Sequence, residues 1–160
     1  MSHNTLIISL LVGVAASSAA CRKAPVAPPA SMVGRWEGRA EVAVNWCRAQ
    51  ELPMALTIAE DGAVAGKVGD ATLKDGRVYP NPGSARQGIT LQTKFVIEAA
   101  LDGPLVAAEG IKRDEICIPV EVDKDGNLTG ALLTSGTEYG GKETRVFSAG
   151  LRPLTKVPPR

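Results

Sequence analysis

Between residues 34 and 46 the side chains alternate in character. Trp36, Gly38, Ala40, Val42, Val44 and Trp46 fall on one parity, and Arg35, Glu37, Arg39, Glu41 and Asn45 on the other. Successive side chains of a β-strand point to opposite faces, so this spacing predicts one long strand with a dry side and a wet side. The dry side carries both tryptophans of the chain. Such a strand needs a sheet that encloses its apolar face.

The remaining segments supply one. Leu52, Met54, Leu56 and Ile58 alternate with smaller or polar residues, and Val64, Gly66 and Val68 continue inward. A second long strand is expected over residues 89–101, with Ile89, Leu91, Phe95, Ile97 and Leu101 in step. Further strands are expected over 105–111, 116–122, 128–134 and 145–151. Asp-Gly occurs at Asp61-Gly62, Asp75-Gly76, Asp102-Gly103 and Asp125-Gly126. Glycine accepts positive φ without a Cβ clash, so each pair reads as a hairpin turn. No helical stripe of useful length interrupts the pattern. An all-β antiparallel meander of about 8–10 strands, curled into one small barrel that removes its exposed edges, fits best. A two-layer β-sandwich is the alternative.

The N-terminus reads differently. Residues 1–20 contain no Asp, Glu, Lys or Arg, and an apolar run leads to Ser17-Ser18-Ala19-Ala20. An apolar core followed by small residues is the layout of an export signal. Ser18-Ala19-Ala20-Cys21 resembles the lipobox of bacterial lipoproteins, in which the cysteine becomes the lipidated first residue; plain cleavage after Ala20 would leave Cys21 unmodified. Several acyl chains on Cys21 would hold the protein on a bilayer. Arg22 after the cysteine implies, by the same resemblance, an outer-membrane address facing the periplasm. Pro25, Pro28 and Pro29 make residues 21–32 a stiff, extended tether. The folded domain is expected over residues 33–154, with 155–160 a loose tail.

Composition narrows the function. The 160 residues carry a formal net charge of +1 with both signs interspersed, which gives no basic face for nucleic acid. The single histidine, His3, lies in the leader. Without imidazole the mature chain has no Ser-His-Asp or Cys-His catalysis and no His-ligated zinc. Residues 123–127 hint at a calcium loop, but the glycine arrives too early and Thr134 stands where an EF-hand needs Glu. Residues 136–142 match only the start of a phosphate loop, with Glu143 in place of Ser or Thr. The expectation is no enzyme, no metal and no cofactor. In an exported protein Cys47 and Cys117 are expected to form a disulfide, worth about 4 kcal/mol for so long a loop.

Two family resemblances bear on ligand and partner. Gly34-Arg35-Trp36 resembles the Gly-x-Trp signature of lipocalins and the wider calycin group, and Thr137-Glu138-Tyr139 resembles their Thr-Asp-Tyr. This implies a lipocalin-like barrel in which Arg152 packs across Trp36. It also implies an inward pocket for a small apolar molecule, lined by Trp36, Trp46, Met54, Leu56, Phe95, Ile97 and Arg152. The second resemblance is to lipid-anchored inhibitors of c-type lysozyme. Their Ser-Gly-x-x-Tyr is similar to Ser135-Gly136-Thr137-Glu138-Tyr139, and Ser148 and Gly150 match a later Ser-x-Gly in which Ala149 replaces the family's lysine. It implies a partner loop built on Ser135, Gly136, Tyr139 and Lys142. The expected function is therefore a non-catalytic binding module of the cell envelope, for a small apolar ligand or an envelope protein. A structural envelope role is the remaining alternative.

Overall fold

The computed structural model describes residues 24–81, 93–138, 143–144 and 147–158; of residues 137, 138, 143 and 144 it describes the backbone only. Eight antiparallel strands form a closed barrel: β1 Gly34–Val42, β2 Glu51–Ile58, β3 Ala63–Val68, β4 Ala71–Pro80, β5 Phe95–Asp102, β6 Glu115–Val122, β7 Leu128–Ser135 and β8 Phe147–Val157. Each strand pairs with the next in sequence, and β8 closes on β1. The expected meander is thus a barrel and not a sandwich. Ile89, Leu91, Tyr139, Lys142 and Arg145, with the leader and Cys21, lie outside the described residues.

The alternation of β1 holds. Trp36 and Ala40 are fully buried while Arg35, Arg39 and Glu41 are exposed. β1 stops at Val42, but Val44 and Trp46, in the loop beyond, still pack against the core. Leu52, Met54, Leu56 and Ile58 of β2 point inward as a set. Three of the four Asp-Gly pairs stand at or beside turns. The fourth does not: Asp75-Gly76 lies inside β4, which carries one residue more than β3 and β5 there. This is a β-bulge, and Asp75 adopts φ 52° to make it. The bulge moves the inward phase of β4 from Ala71 and Leu73 to Gly76 and Val78, all buried. The turn that actually joins β3 to β4 is Gly69-Asp70, with Gly69 at φ 58° and its missing Cβ leaving room for the Leu105 carbonyl. Residues 105–111 are not a strand either. They form a narrow ribbon, Pro104–Val106 against Ile111–Lys112, around the 3-10 turn Ala107–Glu109.

A second bulge decides the closing seam. In β8 the pairing with β1 slips at Arg152-Pro153, where proline is tolerated because no ladder bond is required. Phe147 and Ala149 are buried before the slip and Leu154 after it. The strand then runs on to Val157, so Thr155 to Val157, expected in a loose tail, pair with Glu37 to Arg35.

The tether expectation is corrected as well. The Val26 N–H donates to the Val78 carbonyl at 3.0 Å, and Pro28 and Met32 are buried. Gly62, in the β2–β3 turn, has φ 80°, and a Cβ there would lie 2.4 Å from the Val26 carbonyl oxygen. The chain then turns, with the Met32 N–H on the Pro29 carbonyl, and the Trp36 indole N–H donates to the Met32 carbonyl at 2.8 Å. Residues 26–32 are therefore a strap across one end of the barrel, the base, and Met32 belongs to the core.

Candidate functional site at the barrel mouth

The end opposite the base is assembled from the β1–β2 loop, the Gly69-Asp70 turn, residues 103–114 and the β7–β8 hairpin. The 3-10 turn forms a cap there. Glu109 is its fastener: one carboxylate oxygen accepts the N–H groups of Arg48 and Ala49, each at 3.0 Å, and the other accepts the Cys47 thiol at 3.1 Å. Burial pushes the Cys47 thiol pKa up, and its hydrogen bond to Glu109 adds to the rise. On the other flank the Asp70 carboxylate accepts the Ala107 N–H at 2.9 Å, and the Asp70 N–H donates to Leu105 at 3.0 Å. Leu105 is fully buried beneath the cap.

Under the cap lies an aromatic–cation cluster. Trp46 and Phe147 meet edge to face, 5.7 Å between centroids at 73°. The Arg113 guanidinium stands 5.2 Å from the Trp46 centroid, and Arg113 is 0% exposed. A desolvated cation on an aromatic face gains about 2 kcal/mol. Thr134, paired across the sheet with Phe147, is buried, and among the described residues its hydroxyl has no hydrogen-bond partner. Gly136 runs against Arg113: a Cβ would sit 3.1 Å from the Arg113 Cα. Beyond Gly136 the chain leaves the rim as a hairpin, Thr137–Glu138 paired with Glu143–Thr144.

The residues expected to line one pocket are spread over the barrel's whole height. Trp36 is at the base and Trp46 at the mouth. Met54, Leu56 and Ile97 are buried in the core between them, and Phe95 packs partly buried at the base end of β5. Arg152 faces outward at the β8 bulge, paired with Glu41 at 3.6 Å and Glu51 at 3.3 Å. It does not cover Trp36. Lys156 does: its ammonium is 5.4 Å from the Trp36 centroid and donates to the Ser31 carbonyl at 3.3 Å. The bulge explains the exchange: Arg152 keeps the outward parity of Ser148 and Gly150, and the one-residue slip beyond it puts Lys156 in phase with buried Leu154.

Nor do the two cysteines bridge. Cys47 is buried at the mouth on Glu109, while Cys117 is on the half-exposed outward face of β6, and neither is in a disulfide. Ser135 ends β7 and accepts the Asp114 N–H on its carbonyl at 3.1 Å. Sequence reasoning missed Arg113, Glu109, Thr134, Phe147, Met32 and Lys156. Arg113 lies in a charged run, residues 112–115, which reads as solvated; only the packing of Trp46 reveals its burial.

Glu37, Gly38, Pro53, Met54, Ala55, Lys67 and Gly69 line an open depression of about 570 Å³. Among the described residues no group of three or more His, Cys, Asp or Glu side chains converges on a metal position. No protein-family model, curated protein or solved structure matches this chain.

Proposed function

We propose that this protein is an exported, lipid-anchored and non-catalytic binding module of the cell envelope, which recognises a protein partner through the hairpin at the barrel mouth. The carrying observation is the rooting of that hairpin. Gly136 is pressed against a fully buried Arg113, which is itself stacked on Trp46, so the strands beyond it leave a fixed platform. A binding element set on a rigid platform loses less entropy on binding than one on a loose support. The anchor rests on Cys21, and absence of catalysis on a mature sequence without imidazole. The resemblance to lysozyme inhibitors makes c-type lysozyme the first partner to assay. Inhibition by the purified domain, weakened by Ser135→Ala, is the expected result. If the domain has no effect on lysozyme, that partner is eliminated. Failure of hairpin replacement to alter in-cell crosslinking from position 48, on the neighbouring exposed β1–β2 loop, would eliminate the hairpin as the recognition element.

A small apolar ligand is the second reading, in line with the lipocalin resemblance. It is favoured by the Thr134 hydroxyl, a buried polar group without a protein partner among the described residues, beside the Phe147–Trp46 pair. Saturable binding of an apolar fluorescent probe, with quenching of Trp46 and sensitivity to Thr134→Val, would support it.

A further inference from the structure

We propose that the lipid anchor fixes the barrel's orientation, so that the strapped base faces the bilayer and the mouth points away from it. The inference rests on the lipid-anchor reading above. It comes from where the chain first becomes part of the fold. Val26 is bonded to Val78 and packed on Gly62, both at the base. Only five residue steps separate it from Cys21. Fully extended, those steps reach at most about 18 Å. The nine residues of β1 run from the base toward the mouth. At about 3.3 Å per residue and a tilt near 40°, that path rises roughly 23 Å along the barrel axis. The anchor chain is too short to pass along the outer wall and bring the mouth to the lipid surface.

The strap makes this constraint firm. Had residues 24–32 been a free proline-rich spacer, their reach would more than double the distance and the barrel would tumble over the membrane. Instead they are held by the Val26–Val78 bond, by buried Pro28 and Met32, and by the Lys156 and Trp36 contacts at Ser31 and Met32. The paired strands Thr137–Glu138 and Glu143–Thr144 are thereby presented toward the aqueous compartment, where a soluble partner meets them.

The two tryptophans report the two ends. The full-length protein, processed in a host that lipidates it, is reconstituted into phospholipid vesicles carrying a dansyl headgroup lipid. Trp46→Phe leaves the base donor Trp36, and Trp36→Phe leaves the mouth donor Trp46. Energy transfer is expected to be at least about twofold stronger from Trp36, given the axial height of the barrel. Because Trp36→Phe alters the core, the order is checked with single cysteines. Glu60→Cys (base) and Arg48→Cys (mouth) are made in a Cys47→Ala, Cys117→Ala background, and a lipid-borne quencher should suppress a fluorophore more at position 60. Vesicle flotation separates the two ways of failing. Protein that does not float, or floats equally well as Cys21→Ser, overturns the anchor and the orientation with it. Protein that floats through Cys21 but shows equal or reversed transfer overturns the orientation alone.

Discussion

At the level of single residues, Trp36 ties the strap to the barrel. Its ring is fully buried, its N–H satisfies the Met32 carbonyl, and Lys156 covers its face. Trp36→Ala should lower unfolding free energy by about 3–5 kcal/mol, as for other large-to-small core changes. Trp36→Phe keeps most of the volume but strands the Met32 carbonyl, and should cost about 1–3 kcal/mol. Urea titration of both proteins measures the difference. The exposed pairs Arg39–Glu51 and Lys74–Asp102, at 2.7 and 2.8 Å, are expected to matter far less, since solvated ion pairs contribute little. Trp36 was legible in the sequence as an inward residue. Its partners were not, because Met32 sits among prolines and Lys156 in a charged terminal stretch.

At the level of elements, the bulges and turns set which side chains face inward. Asp75 bears a positive φ that costs a non-glycine residue about 1–2 kcal/mol. Asp75→Gly should therefore be neutral or stabilising by up to about 1 kcal/mol, and Asp75→Val destabilising by about 1–2 kcal/mol; calorimetry or urea midpoints would show the split. The β6–β7 turn gives a pH signature. The Asn127 N–H, and then that of Asp125, hold the Asp123 carboxyl below its ordinary range. A depressed carboxyl contributes stability that is fully present above the unfolded-state pKa of about 4 and is lost as pH falls through the folded value. Asp123→Ala should lower stability at pH 7 and flatten the decline between pH 5 and pH 3, read from urea midpoints across that range. Asp-Gly pairs identify flexible corners correctly, but a dipeptide cannot say whether the corner reverses the chain or kinks one strand. At Asp75 the neighbouring strands β3 and β5 decide that.

The whole molecule is a barrel closed at its base by residues 26–32 and capped at its mouth by residues 104–112. A protein that starts at residue 33 should lose several kcal/mol relative to one that starts at residue 24, because Met32 alone is a buried side chain whose truncation typically costs about 2–5 kcal/mol. Its Trp36 emission should also shift to the red. Equal stability of the two proteins would show that the strap is not integral to the fold. What the amino-acid sequence determined by itself is the two-residue rhythm, most of the corners, and hence an antiparallel meander with Trp36, Leu56 and Ile97 inside. Tertiary structure alone decided three things: that Lys156 and not Arg152 meets Trp36, that a proline-rich segment packs as a strap, and that Arg113 is buried beside Trp46. The rhythm is local, carried by neighbours along the chain. Phase after a bulge, and burial of a charged or proline-rich residue, depend on which distant segment lies alongside, and a one-residue slip in that pairing exchanges the inner face for the outer.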